Sequence, residues 1–338
     1  MHPGEAKMGT KLRIFIAVFL IIFLLSACGS AEPSVIVTPP NEIIPGPTPD
    51  VAGIVRDYPR VDGSTSAHPL QVLIACTLLD VPCTWTDQSF LGPSSERRIG
   101  PDLLDTFTEN GEIVANIWHN GTHSAYVNLI NKDDDFIIVA RMPSDDEIRQ
   151  ARLRGVKLDI RPVALDAFVF LAHVDNPVES LTLDQIRDIY TGKTTEWDEL
   201  GGMGIINAYQ RNPNSGSQEL MDDLVMKGTR MVDAPDMIFP GMMGPINAIS
   251  SDPQGVGYSV YFYASFMLPD ENVRLLGIEG VVPTSETIAS REYPLVTEVY
   301  AVVRVDMPTD STAVMLRDWL LTDDGQDAVE ESGYVPIK

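Results

Sequence analysis

Two long runs of strand-forming residues, at positions 158–172 and 293–303, constrain the fold of this chain more than any other feature. Shorter strand-like segments alternate with segments of helical periodicity around them, which indicates an α/β architecture. Runs of this length carry a chain from one lobe into another, so the two runs predict two lobes joined by two crossover strands. Residues 57–163 and 296–338 would form the first lobe, and residues 164–295 the second.

The first 56 residues differ in composition from the rest of the chain. Basic residues precede an uninterrupted apolar run at positions 14–25, which is short for a membrane span and typical of a signal peptide. Positions 28–56 are rich in proline, serine and threonine and lack helical or strand periodicity. We therefore expect a signal peptide over residues 1–27 and a semi-extended tether over residues 28–56.

The apolar run ends in Leu25, Ser26, Ala27 and Cys28. This order resembles the lipobox of bacterial lipoproteins, in which the cysteine becomes the lipidated first residue of the mature protein. The resemblance implies that a lipid on Cys28 anchors the protein to the cell membrane on its extracytoplasmic side. An ordinary cleaved signal peptide and a single-pass membrane anchor are the alternatives.

The chain is strongly acidic, with 48 Asp and Glu against 24 Lys and Arg among 338 residues and a formal net charge of -24. Such a surface argues against binding to nucleic acid and against electrostatic binding to anionic lipid. A site for an anion in this chain must therefore act through local groups, against the overall field.

The polar stretch at residues 209–219 has the composition of an anion-binding turn. Apolar residues recur at helical spacing just after it, which places Ser215, Gly216 and Ser217 at the N-terminus of a helix. Backbone N–H groups point out of such a terminus, and Gly216 lets an oxyanion approach them closely. Arg211 adds a charged fork of donors. A capped helix with Arg211 in solvent is the structural alternative.

Two further turns lead into helices and expose hydroxyl groups there. Ser64, Thr65 and Ser66 precede a helix with proline in its first turn, and Thr122 stands where a helix cap is expected. Each turn alone is weak evidence, since such residues also form ordinary turns.

Arg141 stands at the end of an apolar strand, where its side chain is a second candidate ligand for an anion. A surface salt bridge from Arg141 to Asp145 or Asp146 is the alternative.

The histidines and cysteines point to no metal site and no cofactor. His119 and His123 are four residues apart, but Gly121 interrupts their helical face and no acid follows in the zinc-protease pattern. Cys76 and Cys83 either form a disulfide, which is compatible with an extracytoplasmic location, or remain two thiols.

An ordered set of motifs from about residue 58 to the C-terminus resembles the phosphate-binding proteins of Pst-type ABC transporters. The resemblance implies a two-lobed periplasmic-binding-protein fold of type II that closes on an anion between its lobes and has no catalytic activity. Its motifs here are Asp62-Gly-Ser-Thr-Ser66, Asn176-Pro177, Leu181-Thr182, Ile189-Tyr-Thr-Gly192, Trp197, Arg211 with Ser215-Gly-Ser217, Gly257-Tyr258, Tyr293-Pro-Leu295, Gly325-Gln326 and Gly333-Tyr-Val-Pro336.

Transferred to this sequence, the resemblance implies a set of donors on each lobe. The first-lobe donors fall on Ser64, Thr65 and Ser66, with Thr122 as a further donor, and the second-lobe set falls on Arg211, Ser215, Gly216 and Ser217. The better-known members of the family also carry an aspartate after the strand that precedes Arg141, where it accepts the proton of hydrogen phosphate and excludes sulfate.

This chain departs from that pattern, because its strand ends in Val139, Ala140 and Arg141 without an acid. Asp62, Asp145 and Asp146 are the nearest carboxylates in the sequence. Preference for phosphate over other oxyanions is therefore the inference that the sequence supports least.

The sequence thus predicts an extracytoplasmic lipoprotein that captures inorganic phosphate and delivers it to the permease subunits of an ABC importer. The alternatives are a binder of sulfate, molybdate or another oxyanion, and a surface-tethered sensor or interaction protein with the same fold. An enzyme is not indicated, because there is no Gly-x-Ser-x-Gly motif and the five histidines do not suggest a triad.

Overall fold

The computed structural model describes residues 35–37, 49–89 and 95–337. The signal peptide, Cys28 and most of the tether predicted from the sequence lie outside these residues. In the part of the chain that the structure describes, no helix has both the length and the apolar character to cross a membrane.

Short helices cover the faces of the sheet. They are α1 (Val51–Arg56), α2 (His68–Leu79), α3 (Glu109–Ala115), α4 (Thr122–Asn131), α5 (Asp145–Arg154), α6 (Leu183–Tyr190), α7 (Gly216–Leu220), α8 (Met243–Ser250), α9 (Ser285–Ala289), α10 (Thr312–Trp319) and α11 (Asp323–Ser332).

The strands are β1 (Val35–Val37), β2 (Val61–Gly63), β3 (Cys83–Ser89), β4 (Ser95–Pro101), β5 (Phe136–Val139), β6 (Leu158–His173), β7 (Ser180–Leu181), β8 (Asn207–Ala208), β9 (Gln210–Arg211), β10 (Ile238–Phe239), β11 (Gly255–Val260), β12 (Val273–Ile278), β13 (Val296–Arg304) and β14 (Val335–Pro336).

Strand β6 is the axis of the fold. Its 16 residues extend for roughly 50 Å, which is enough to pass through both lobes. Its first part pairs with β13 as far as Ala167, and its second part pairs with β11 from Phe168 onward and with β12. The predicted crossover run at residues 158–172 is therefore one continuous strand shared by both lobes.

The first lobe is a sheet covered on both faces. Its strand order is β2-β5-β13-β6, and alternate residues of β5 enter different cores. Ile137 and Val139 pack with α4 and α5, whereas Phe136 and Ile138 belong to the larger core that contains α2 and α11. This layered arrangement leaves the ends of β2 and β5 open toward the second lobe.

The second lobe forms around the other half of β6. Strands β11 and β12 flank it, and β8 and β7 extend the sheet on either side. Phe168, Phe170, Tyr190 and Tyr258 pack together, with ring centroids between 5.4 and 6.3 Å apart. This aromatic cluster supports β11 and, through Tyr258, the segment that carries Arg211.

The C-terminal segment returns to the first lobe. Strand β13 runs antiparallel to β6, from Val296 opposite Ala167 to Arg304 opposite Leu158. Strand β14 pairs with the same part of β6, and the ring of Tyr334 stacks on Phe262 at 3.9 Å. A disulfide joins Cys76 at the end of α2 to Cys83 at the start of β3.

The structure differs from the predicted tether at residues 35–37 and 51–56. Strand β1 pairs in parallel with β6, and α1 places Ile54 in the core with no exposed surface. Asp50 caps this helix by accepting a hydrogen bond from Gly53 N at 3.1 Å. The helix contains too few residues for its apolar spacing to stand out in a proline-rich segment, so the sequence predicted no regular structure there.

Candidate functional site

A polar cavity of about 330 Å³ lies where the two lobes meet. Its first-lobe wall is built from the segments that follow β2 and precede α4, and its second-lobe wall from the segment between β9 and α7. The lining residues that the following paragraphs use are Ser64, Thr65, Ser66, Asn120, Gly121, Thr122, His123, Arg211, Asn212, Ser215, Gly216 and Ser217.

The second-lobe wall turns sharply between Arg211 and the start of α7. Asn214 has φ 64°, which permits the turn, and the Ser215 hydroxyl caps the helix by accepting from Gln218 N at 3.2 Å. The Gln218 side chain does not complete the expected capping box, because its amide oxygen accepts from the Tyr258 hydroxyl instead. Ser217, in the first turn of the helix, is buried beside Arg211.

Arg211 is a buried cation that protein groups hold only through neutral acceptors. It is 6% exposed, and its guanidinium donates to Phe239 O at 3.1 Å, to Ser217 Oγ at 3.3 Å and to Pro240 O at 3.4 Å. Among the described residues no carboxylate lies within ion-pair distance of it. Burial lowers its pKa, but an arginine starts so high that it stays charged. The cavity therefore contains a positive charge without a protein counter-ion.

The first-lobe wall begins at the end of β2. Ser64 N donates to Ile138 O at 3.0 Å, which extends the pairing of β2 and β5 by one residue. The Ser64 and Ser66 hydroxyls lie 3.5 Å apart, both side chains are buried, and α2 begins directly after them at His68. Ser64, Thr65 and Ser66 thus line the cavity as a compact group of hydroxyls and backbone N–H groups.

The turn before α4 forms the rest of this wall. Gly121 has φ 90° and takes the cap position, so Thr122 is the first helical residue rather than the cap expected from the sequence. The Asp62 carboxylate holds the turn in place, accepting from Asn120 N at 2.8 Å and from the side chains of Asn120 and Asn128 at 3.0 Å each. Asp62 therefore positions the wall and does not line the cavity.

The two walls touch. A Cβ atom built on Gly216 would lie 2.8 Å from the Thr122 hydroxyl oxygen, closer than side chains tolerate. Glycine at this position is therefore what allows the N-terminus of α7 to approach the N-terminus of α4. The positive ends of two helices and the Arg211 guanidinium converge on one small volume.

Arg141 differs from its predicted role as a ligand for the anion, because it is not among the residues that line the cavity. It makes a bidentate ion pair with Glu147, with N–O distances of 2.8 and 2.9 Å. Glu147 reaches this position because it also completes the capping box of α5, accepting from Ser144 N at 2.8 Å. The salt-bridge alternative considered for Asp145 or Asp146 is thus realised by the next acid in the chain.

The cavity lining contains no carboxylate. Asp62 is occupied as described, and Asp145 and Asp146 lie at the start of α5 outside the cavity. The two histidines with metal-like spacing are engaged separately: His119 stacks on His68 with ring centroids 4.3 Å apart, and His123 bonds to Glu147. Among the described residues no group of three or more candidate ligands is arranged to hold a metal ion.

The structure brings together eight of the nine ligand candidates chosen from the sequence, with Arg141 as the exception. It adds Asn120, Asn212 and His123 to the lining. Asn120 and His123 flank Thr122, so the helix-start pattern that selected Thr122 also contained them. Asn212 follows Arg211 directly and lay inside the stretch identified as an anion-binding turn.

A two-lobed α/β chain with crossover strands and a ligand-sized polar cavity between its lobes has the architecture of a periplasmic binding protein. The chain belongs to that superfamily: the family model described as a PBP superfamily domain matches residues 99–322.

Named relatives narrow the likeness. The phosphate-binding protein PstS of Staphylococcus epidermidis is 26% identical over 228 residues, which cover 64% of this chain and 67% of that protein. The protein of the same name from Borreliella burgdorferi is 26% identical over 217 residues, covering 62% and 75%. The crystal structure of an ABC-type phosphate transport receptor from Vibrio cholerae superposes with a TM-score of 0.57 at 19% identity, covering 81% and 98%.

Proposed function

We propose that this protein binds inorganic phosphate between its two lobes, outside the cytoplasm, and delivers it to the permease of an ABC importer. The observation that carries the proposal is Arg211, a buried guanidinium that faces a ligand-sized cavity without a carboxylate partner among the described residues. An isolated buried charge is strongly unfavourable, so a stable fold with this feature calls for an anion. The PstS relatives at 26% identity support phosphate as that anion.

Capture follows from the donor arrangement. Hydroxyl and N–H groups of Ser64, Thr65, Ser66 and Thr122 on one lobe, and those of the Arg211 to Ser217 segment on the other, replace the hydration shell of the anion. Because the donors are fixed by helix starts and strand ends, little reorganisation accompanies binding. Micromolar affinity corresponds to about -8 kcal/mol, which is the surplus after desolvation and lobe closure.

The proposal includes a lipid anchor on Cys28 and excludes turnover. The lipobox-like order of residues 25–28 and the tether after it support anchoring at the membrane surface. We expect Cys28→Ser to move the protein from the membrane fraction to the soluble fraction of cells that carry the full chain. Retention of that variant in the membrane fraction would contradict the anchor and leave the ligand proposal intact.

Removing the Arg211 guanidinium tests the binding site directly. We expect Arg211→Ala to weaken phosphate binding by about a hundredfold or more, because a charge-assisted fork of donors is lost from a desolvated site. Arg211→Lys should bind with intermediate affinity, because it keeps the charge and loses the fork. Isothermal titration calorimetry of phosphate into each purified variant provides the measurement.

Arg230→Ala is the matched control, since Arg230 is exposed, belongs to the same lobe and does not line the cavity. Its affinity should equal that of the wild type. Unchanged phosphate affinity in a folded Arg211→Ala protein would place the anion site elsewhere. The absence of any anion binding by the wild type would instead favour a sensor or interaction protein with this fold.

A further inference from the structure

The cavity lacks a carboxylate, but it has one titratable side chain besides Arg211, and that side chain is His123. Hydrogen phosphate carries a proton that needs an acceptor in the site, whereas fully ionised sulfate offers only acceptors and needs donors. A site of fixed donors cannot make this distinction. The group that answers the proton of the ligand therefore has to be one that changes its own protonation.

His123 is held by one nitrogen and presents the other. Its Nδ1 lies 2.9 Å from Glu147 Oε1, and Glu147 is completely buried. The bidentate pair with Arg141 and the hydrogen bond from Ser144 N keep Glu147 ionised, so Nδ1 must carry a proton and donate it. The ring is 31% exposed, and because its Nδ1 edge faces buried Glu147, the exposed edge carries Nε2.

Charged groups surround this histidine on every side that packs against it. Glu147 and Asp146 belong to α5, Arg141 ends β5, and Glu219 of α7 faces them across the cleft. Acids outnumber the single guanidinium, which Glu147 already pairs. The surroundings therefore permit both the neutral and the protonated imidazole, and the ligand decides between them.

We propose that His123 Nε2 sets the protonation state of the oxyanion that this site accepts. Neutral His123 accepts the proton of hydrogen phosphate at Nε2, and protonated His123 donates from Nε2 to a fully ionised tetrahedral anion such as sulfate. This inference rests on the proposed function, because it concerns the same cavity. Selectivity for phosphate over sulfate is then high at alkaline pH and falls as the pH is lowered.

Sulfate is the informative ligand, because it does not titrate in the range in which histidine does. We expect its affinity for the wild type to rise by about tenfold between about pH 8 and about pH 5.5, as His123 becomes a charged donor. Sulfate binding should take up protons, which calorimetry in buffers of different ionisation enthalpy measures. Phosphate titrations under the same conditions give the selectivity ratio.

His123→Asn removes the effect while keeping the local structure, because the Asn amide nitrogen can still donate to Glu147 and has no group in the place of Nε2. In this variant we expect sulfate affinity to change by less than about twofold over the same pH range, without proton uptake. His173→Gln is the matched control, since His173 ends β6 outside the cavity and should leave the wild-type pH profile unchanged.

The outcomes separate this inference from the proposed function. If His123→Asn binds phosphate and sulfate with the pH profile and proton uptake of the wild type, His123 does not sense the ligand and the inference is wrong while the anion site stands. If the folded wild type binds neither anion at any pH, both proposals are wrong. A thermal unfolding curve for each variant verifies that the compared proteins are folded.

Discussion

Asp166 is a buried carboxylate at the point where β6 passes from one lobe to the other. One of its oxygens accepts from Ala167 N at 2.8 Å and from Phe262 N at 3.0 Å, while the other has no partner among the described groups. Burial raises its pKa to about 7. Near neutral pH this strand therefore carries an acid that is poised between its two forms.

The raised pKa makes the stability of the fold depend on pH. Because the folded protein holds the Asp166 proton more tightly than the unfolded chain does, its contribution is fully present below the unfolded pKa of about 3.9 and is lost as the pH rises through about 7. We expect Asp166→Asn, which is neutral at every pH, to be the more stable protein at about pH 8, by roughly 1 to 3 kcal/mol.

The gap between the two proteins should narrow toward about pH 5, because the wild-type carboxyl is then largely protonated. Urea unfolding monitored by circular dichroism at a series of pH values measures it. A gap that does not change with pH would show that Asp166 does not titrate in this range.

The residues of the site were predictable to the extent that they obey local rules. Serine and threonine before a helix, and glycine where two backbones approach, can be recognised in a single stretch of sequence. The fate of Arg141 could not be predicted, because it depends on Glu147 turning back to cap its own helix and on the burial of both side chains. His123 was set aside as a metal ligand, and its partner became visible only when α4 and α5 were packed together.

Among the elements, the N-termini of α4 and α7 form the contact that closes the cavity. They come from opposite lobes, and Gly216 and Thr122 are the residues that meet. Neither helix start is unusual by itself. The pairing is a property of the tertiary fold, in which β2 and β5 end at the same edge where β9 leads into α7.

Gly216→Ala tests this contact. The added methyl group would clash with the Thr122 hydroxyl, hold the lobes apart and weaken phosphate binding, by about tenfold or more. Thr122→Ala removes the clashing oxygen, so the Gly216→Ala substitution should weaken binding much less in that background. A double-mutant cycle of phosphate affinities, measured by calorimetry, isolates the interaction.

Additive losses in the cycle would mean that the methyl group acts through α7 alone and that the two helix starts do not meet in the bound state. The short elements also show where sequence patterns fail. Helix α1 and strand β1 are too brief for periodicity to reveal them, whereas the two crossover strands were long enough to be recognised from composition alone.

At the scale of the whole molecule, β6 makes the two lobes one cooperative unit. Its residues are buried at both ends, and the larger hydrophobic core runs from α2 in the first lobe to Trp197 and Tyr258 in the second. Unfolding either lobe would leave half of an apolar strand in water. The lobes can therefore bend relative to each other, but neither is expected to remain folded alone.

We expect a single unfolding transition. A variant that retains Trp197 and has phenylalanine at the other tryptophans reports on the second lobe by fluorescence, since Trp197 is fully buried there. Its midpoint in urea should coincide with that from far-ultraviolet circular dichroism, which reports on the entire fold. Phosphate at about a hundred times its dissociation constant should shift both midpoints together, by about 2.7 kcal/mol of added stability. Two separated midpoints would contradict this coupling.

The return of β13 and β14 to β6 also sets a timetable for folding. The pairing of Arg304 with Leu158 joins residues far apart in the chain, and the last paired residue, Pro336, lies two positions before the C-terminus. While a ribosome is still making the chain, the first lobe lacks an inner strand and an edge strand. A protein with this topology can complete its first-made half only after its last-made residues have appeared.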